Sequence, residues 1–494
     1  MKYNSTRDNT ISVSASQAIL QGISPEGGLF VPDSLPRLSS GQIGSLCGKS
    51  YIERSEYILD LFLDDFSPLQ RNDSVRVAYE HSFYSEIPAP VRKIKGGRYV
   101  LELFHGPTCA FKDMALQLLP QLMRCSTENV GREGETLILV ATSGDTGKAA
   151  LEGFKDAEGI KIMVFYPVDG VSPMQKLQMA TQEGDNVAVC AVCGNFDNTQ
   201  SGVKAIFTDA KMIERLAGRQ VAFSSANSIN WGRLLPQIIY YFSAYADLVD
   251  AGEIALGEAL SFAVPTGNFG NILAAFYARE MGLPIAKLIC ASNRNKVLTD
   301  FIDTGCYNLD RDFHLTLSPS MDILISSNLE RLLYHLLDGD DKVLAGLMAD
   351  LRDKGSYQVP DKVREQVQAL FYGGFCDDDR TCETIRAVYE QEGYLLDTHT
   401  AVAMAVSDDY LAETKDKTKM VVVSTASPYK FAGSVYTALT GRQESDEYKA
   451  TAKLNALTGL PIPKPLSGLS GKPVRFTQVI GKEAMAEAVF SFIE

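Results

Sequence analysis

The sequence predicts an α/β protein built on two open, mostly parallel sheets, and three observations carry that prediction. Short β-branched runs alternate with helical stretches, as in ETLILVATSGDTGKAALEGF and LSFAVPTGNFGNILAAFYAREMGL. This alternation is the mark of βαβ units. Turns rich in Gly, Ser, Thr and Asn stand at the strand ends, where ligands of such sheets bind. Finally, 494 residues with 45% hydrophobic and 22% charged content suit a globular chain of two or three domains.

Taken in order, the first stretch differs from the rest. ISPEGGLFVPDSLPRLSS is turn-rich and leads into helices, so residues 1–95 are expected to form a small N-terminal domain. The strand–helix pattern then runs through IKIMVFYP with VSPMQKLQMATQ, and through NVAVCAVCGNFDNTQSGVKAIFTDA to AKLICASN. Residues 96–293 and 394–494 are therefore assigned to the α/β core, with MVVVSTASPYKFAGSVYTAL as a late unit. Residues 294–393 read as a helical insertion. Within it SPSMDILISSNLERLLYHLL is expected to be a capped helix, and the sheet is expected to resume near Leu395.

Charge and cysteine content exclude several classes. The net charge is −14, from 47 Lys and Arg against 61 Asp and Glu, which argues against nucleic-acid or anionic-membrane partners. Nine cysteines lack a disulfide framework, and Cys190 and Cys193 have no second pair at zinc spacing. No metal is expected. MKYNSTRDNT has no apolar core of signal-peptide length, and no run reaches transmembrane length. A cytoplasmic protein is the expectation, as a monomer or homodimer acting on a small molecule.

Six motifs carry the candidate chemistry. FHGPTCAFKD places Lys112 between apolar stretches, and a buried amine is costly when charged. VPTGNFGN sets Gly267 and Gly270 around Asn268 and Phe269, with Asn271 opening a helix. Glycines and a helix N-terminus make an anion site, or simply a tight strand-to-helix turn. ATSGDTGKAA crowds Thr142, Ser143, Asp145 and Thr146 around Gly144, where one of them would suffice as a helix cap. NSINWGR offers Asn227, Ser228 and Arg233 to an oxyanion, or is an ordinary loop. STASPYKF puts Ser424 and Thr425 at a strand end, to meet a ring nitrogen or to cap a helix. LDTHTAVA places His399 and Thr400 at a helix start, read as capping by Thr398 or Thr400.

A lysine in an apolar setting with a glycine phosphate loop and a second anion loop points to an aldehyde cofactor bearing a phosphate. Pyridoxal phosphate meets all three conditions, with Lys112 as the amine that joins its aldehyde.

With these motifs in this order, the chain resembles the longer class of threonine synthases, in the tryptophan-synthase-β-like group of fold type II pyridoxal phosphate enzymes. STRDNTISVSASQAILQGISPEGGLFVP and LFHGPTCAFKD resemble that family's N-terminal and cofactor-lysine motifs. SGDTG, GNFGN, NSINWGR and STASPYKF follow in the family's order. The resemblance implies the conversion of O-phospho-L-homoserine and water to L-threonine and phosphate, the last step of threonine biosynthesis. It implies that Lys112 carries the cofactor and shuttles protons. Gly267, Asn268, Phe269, Gly270 and Asn271 would hold the cofactor phosphate. Thr425, or Ser424, would face the pyridine nitrogen, and Asp145 would lie near the ring hydroxyl. Thr142, Ser143, Gly144 and Thr146 would bind the substrate carboxylate, and Asn227, Ser228 and Arg233 its phosphate. Lys148 stands where a small residue is expected, as a solvent-facing residue or a second cation. Tyr429 and Cys109 read as variable positions. The rival readings are a non-catalytic paralogue, and a dehydratase or β-replacement enzyme of the same fold, which needs no grip on a substrate phosphate.

Overall fold

In the computed structural model the strand–helix units close into two separate sheets. All residues are described except 96, 143, 169, 170 and 195, and residues 196, 197, 208 and 470 are described by backbone alone. The larger sheet runs Phe371–Phe375, Ile285–Ser292, Leu260–Pro265, Lys419–Ser424, Tyr99–Glu102, Val91–Lys93. Its strands pair in parallel except for the last, which is antiparallel. The smaller sheet runs Val479–Ile480, Val187–Val192, Ile160–Pro167, Glu135–Ala141, Val221–Ser224, parallel throughout. Every residue of Leu260–Pro265 is buried. Helices on both faces of a parallel sheet require this, which is why such strands read as unbroken apolar runs.

The N-terminal stretch folds as a three-stranded antiparallel sheet of Ser12–Val13, Tyr3–Ser5 and Phe30–Pro32. Three helices with capping boxes follow, Ser40–Gly44 behind Ser39, Tyr51–Asp60 behind Ser50 and Pro68–Tyr79 behind Ser67. Tyr3 seats this part on the core, its ring centroid 5.3 Å from that of the fully buried Trp231.

The structure differs from the expected organisation in several places. The larger sheet takes in Val91–Lys93 before residue 96, because this strand pairs with Tyr99–Glu102 across a short turn. It also takes in Phe371–Phe375, inside the stretch expected to be a helical insertion. The sequence FYGGF hides this edge strand, since glycines weaken a strand reading. They are needed for packing: a Cβ at Gly374 would lie 2.4 Å from Val406, and one at Gly373 would lie 3.0 Å from the Thr299 backbone. No strand resumes near Leu395; the helix Thr398–Thr414 begins there instead. Finally, the helix expected over SPSMDILISSNLERLLYHLL is only Leu329–Leu336, without a side-chain cap. Its first part is a 3-10 turn, Pro319–Met321, that reaches the strand ends of the larger sheet.

The nine cysteines are unpaired; Cys190 is buried, donating to Gln478 Oε1 at 3.1 Å, and Cys193 is exposed. Among the described residues, no helix is long and apolar enough to cross a membrane.

Candidate active site

Lys112 opens the short helix Lys112–Leu116. The segment before it is stitched to the end of the strand Lys419–Ser424. Phe111 N–H donates to the Thr425 carbonyl at 2.8 Å, and Ser427 N–H donates to the Cys109 carbonyl at 3.0 Å. Cys109 adopts φ 59°, turning the chain so that Lys112 enters the space between the sheets. The two motifs FHGPTCAFKD and STASPYKF thus form one wall.

The Lys112 side chain is almost wholly buried, and its Nζ lies 3.6 Å from Asp145 Oδ2. It also donates to Ser320 Oγ at 3.4 Å, and Ser320 Oγ donates in turn to Asp145 Oδ2 at 3.3 Å. Burial lowers the proton affinity of the Lys112 amine. Asp145 opposes that shift, and the charges of Lys430 and Arg233 reinforce it. Asp145 opens the helix Asp145–Phe154 and is 5% exposed. Burial raises its carboxyl, but Lys430 and Lys112 outweigh that and hold it well below the ordinary carboxylate range.

The glycine loop after Leu260–Pro265 has the form of an anion cradle. Phe269 adopts φ 62° and caps the helix Gly270–Glu280. The first-turn amides of a helix lack partners within it and face whatever lies beyond its end. A Cβ at Gly267 would lie 2.7 Å from the Ser320 carbonyl oxygen, so only glycine lets the two segments approach. Ser326 Oγ donates to the Gly267 carbonyl at 2.7 Å, and Asn328 Nδ2 to the Asn268 carbonyl at 3.0 Å. Asn271 Oδ1 accepts from Tyr240 and Tyr241 at 2.6 and 2.7 Å. Its Nδ2 is buried without a partner among the described residues, and so is Arg233 Nε. The orphaned Asn271 donor, the amides at a helix end and a buried amine fit a phosphorylated aldehyde. Lys112 would hold the aldehyde, and Gly267 to Asn271 the phosphate.

The remaining expected residues are placed as follows. Thr142 Oγ1 accepts from Gly144 N–H at 3.0 Å and Gly147 N–H at 2.9 Å, so its acceptor side caps the turn. Gly144 has φ 137°, Thr146 is half-buried, and Ser143 lies outside the described residues. Arg233 is buried, and its Nη1 donates to the Ala226 carbonyl at 2.6 Å. That bond ties the NSINWGR loop to the centre, although Asn227 itself is exposed and Ser228 half-buried. Burial pushes the Arg233 guanidinium down to about 10. Thr425 and Ser424 are both buried, and Ser424 Oγ lies 3.0 Å from Thr400 Oγ1. Lys148 is buried rather than solvent-facing, because Glu152 at 2.7 Å and Gln182 take its charge. Asp397, not Thr398 or Thr400, caps the helix Thr398–Thr414. A carboxylate there accepts both first-turn amides, which a single hydroxyl does less well.

Three site residues escaped the reading of the sequence. Gln175 is the capping-box partner of Ser172, and its Nε2 also donates to Asp145 Oδ1 at 3.0 Å. Ser320 lies in a stretch that looked helical, so nothing local marks it. Its backbone N–H donates to His399 Nε2 at 3.1 Å. The ring must then donate from Nδ1, which faces Asp397 Oδ1 at 2.9 Å. Lys430 sits 2.7 Å from Asp145 Oδ1 with no side-chain exposure. The apolar neighbours Tyr429, Phe431 and Ala432 are the same signal that singled out Lys112.

The sequence matches three family models: threonine synthase N terminus over residues 2–79, pyridoxal-phosphate dependent enzyme over 86–426, and threonine synthase C-terminal over 400–493. It is 42% identical over 435 residues to human threonine synthase-like 1, covering 86% of this chain and 58% of that protein. The chain thus spans less than two thirds of that relative's length. It is 39% identical over 445 residues to threonine synthase of Pseudomonas aeruginosa, covering 90% of this chain and 91% of that one. The pyridoxal phosphate-bound threonine synthase from Brucella melitensis superposes with a TM-score of 0.89 at 36% identity, covering 100% of this chain and 99% of that one. The yeast threonine synthase gives 0.88 at 32%, covering 100% and 98%. On the buried lysine, the glycine cradle and matches that run nearly end to end, the chain belongs to the threonine synthase family of pyridoxal phosphate-dependent enzymes.

Proposed function

We propose that the chain converts O-phospho-L-homoserine and water to L-threonine and phosphate. The observation that carries this reading is Arg233. It is a guanidinium 3% exposed, with Nε unpartnered among the described residues, whose charge is felt at Lys112. A buried guanidinium with a spare donor favours a dianionic group on the substrate, and a phosphate meets that need. Lyases of this fold that act on uncharged hydroxy amino acids have no use for it.

Bound in the cradle, pyridoxal phosphate supplies an aldehyde for amines and a ring that takes up electron density from the substrate's α-carbon. Lys112, its proton affinity lowered by burial, takes the proton from the substrate α-carbon and returns one later at Cγ. Arg233, with Asn227 and Ser228, binds the substrate phosphate and stabilises it as it leaves. The turn Thr142 to Thr146 orients the substrate carboxylate, with amides and hydroxyls at a helix start. Asp145 and Thr425 orient the ring. Ser320 and the 318–322 turn lie over Lys112 and exclude water from its amine.

The test is turnover of O-phospho-L-homoserine with phosphate and threonine assayed together. One-to-one products are expected from the native chain, and none from Lys112→Ala. Arg233→Ala is expected to lower kcat/KM by at least about 100-fold, from loss of a charge-assisted contact. Unchanged turnover in Arg233→Ala would remove the assignment of that residue.

A second reading has its own observation. Identity to threonine synthase-like 1, at 42%, exceeds that to the proteins named threonine synthase, at 35–39%. A related lyase or β-replacement enzyme, or a non-catalytic paralogue, is therefore the alternative. A 2-oxo acid in place of threonine would indicate a dehydratase, a β-substituted amino acid a β-replacement enzyme, and no turnover of any amino acid the paralogue.

A further inference from the structure

Lys430 lies inside the site, and none of the roles above uses it. Its Nζ is 2.7 Å from Asp145 Oδ1 and donates to the Thr108 carbonyl at 3.0 Å. A lysine with no exposed surface must replace water with acceptors. Both acceptors here belong to the motifs that frame Lys112. Asp145 Oδ1 also receives Gln175 Nε2, so that oxygen already has two donors. The other oxygen, Oδ2, is left to Lys112 at 3.6 Å and to Ser320. Two amines share one carboxylate, and Lys430 holds the shorter contact.

We propose that Lys430 is a positioning residue for Lys112: by occupying Asp145 Oδ1, it keeps the Lys112 amine out of a tight ion pair and free to bond the cofactor aldehyde. This rests on reading Lys112 as the cofactor lysine, though not on the identity of the substrate. An amine locked against a carboxylate keeps its proton and has no lone pair for a carbonyl. Without Lys430, Asp145 is left with Lys112 as its only lysine partner. The Lys112 amine then gains attraction and loses a repelling charge, and both changes move its proton affinity up.

The experiment uses protein freed of cofactor by hydroxylamine and dialysis, then mixed with pyridoxal phosphate across a pH series. The lysine nitrogen adds to the aldehyde carbon, water leaves, and borohydride delivers hydride to the resulting C=N bond. Mass spectrometry then counts label on Lys112 and on Lys430. In the native chain Lys112 is labelled and Lys430 is not. Lys430→Met raises the pH midpoint of Lys112 labelling by about one unit or more, whereas Lys430→Arg keeps it near that of the native chain. The double variant Lys430→Met/Asp145→Asn, which removes the attracting carboxylate together with the repelling amine, brings the midpoint back to the native value or below. An unshifted midpoint in Lys430→Met overturns the proposal, as does label on Lys430 in the native chain. Should Lys430→Met not fold, the double variant decides: a midpoint above the native one overturns it. No arm needs phosphohomoserine turnover, so the substrate assignment can fail without this one failing.

Discussion

Two buried aspartates flank Lys112, and their surroundings give them opposite pH dependences. Asp113 has no exposed surface, and burial pushes its carboxyl up to about 6 even though Thr108 N–H and Oγ1 donate to it at 2.8 and 2.6 Å. Its folded value exceeds the unfolded value of about 3.9, so the folded chain holds this proton more tightly. Ionising Asp113 therefore costs stability as pH rises from about 4 to 6 and beyond, roughly 3 kcal/mol in all. Asp113→Asn is expected to remove that slope. Urea unfolding of both proteins between about pH 4 and 7 should show the native chain losing ground to the variant as pH rises; parallel profiles would contradict it. Asp145 has the reverse sign. Its folded carboxyl is held low by Lys430 and Lys112, so its contribution is present above the unfolded value and lost as pH falls.

The strand-end turns are where glycine is irreplaceable, for two different reasons. Gly144 has φ 137°, and a Cβ there would also meet the Gln175 side chain at 2.3 Å. Gly144→Ala is expected to destabilise the protein by about 1–3 kcal/mol, read as a lower urea midpoint. Gly267 is not in the left-handed region; its constraint is the Ser320 carbonyl oxygen, 2.7 Å from where an alanine methyl would sit. Gly267→Ala must displace the 318–322 turn, a backbone neighbour with no flexible end to give way. It is expected to weaken pyridoxal phosphate binding at least about tenfold, a loss of roughly 1.4 kcal/mol, with little change in the urea midpoint. An absorbance titration with the cofactor measures this.

Across the molecule, Arg331 joins parts of the chain far apart in sequence. Fully buried, it donates from Nε to the Phe30 carbonyl at 3.0 Å, from Nη1 to Asn328 Oδ1 at 2.6 Å and from Nη2 to the Ile229 carbonyl at 2.6 Å. Beside it, Glu330 receives Thr6 Oγ1 at 2.6 Å and Arg7 Nη2 at 2.6 Å. The opening STRDN segment is thereby bound to the helix Leu329–Leu336, and Asn328 carries the tie on to the glycine loop. Arg331→Met is expected to cost about 3 kcal/mol or more, because it leaves three acceptors, two of them on buried residues, without their donor. It should also weaken cofactor binding, since Asn328 loses the partner that orients it toward Asn268. Denaturation and cofactor titration of the same variant test both effects; normal cofactor affinity would separate Arg331 from the site.

The βαβ core, the buried lysine and the close-packed glycine turn were legible in the chain because each is local. A parallel strand buried on both faces must read as an apolar run, a turn closely approached by another segment needs glycine, and a lysine among apolar residues stands out within ten positions. The same local logic would have found Lys430. Other features depend on neighbours hundreds of residues away. Phe371–Phe375 is a strand because the edge of Ile285–Ser292 is open to it and its glycines admit the packed helices, although FYGGF has poor strand character. Ser320 joins the site because Asn328, Ser326 and His399 hold its loop over Gly267, and Asp145 acquires its low proton affinity from a lysine 285 positions further along the chain. Side-chain identity and short-range spacing reveal which groups are available. The division of one buried carboxylate between two amines is a matter of distance and desolvation, and these arise only when the sheets and loops are packed together.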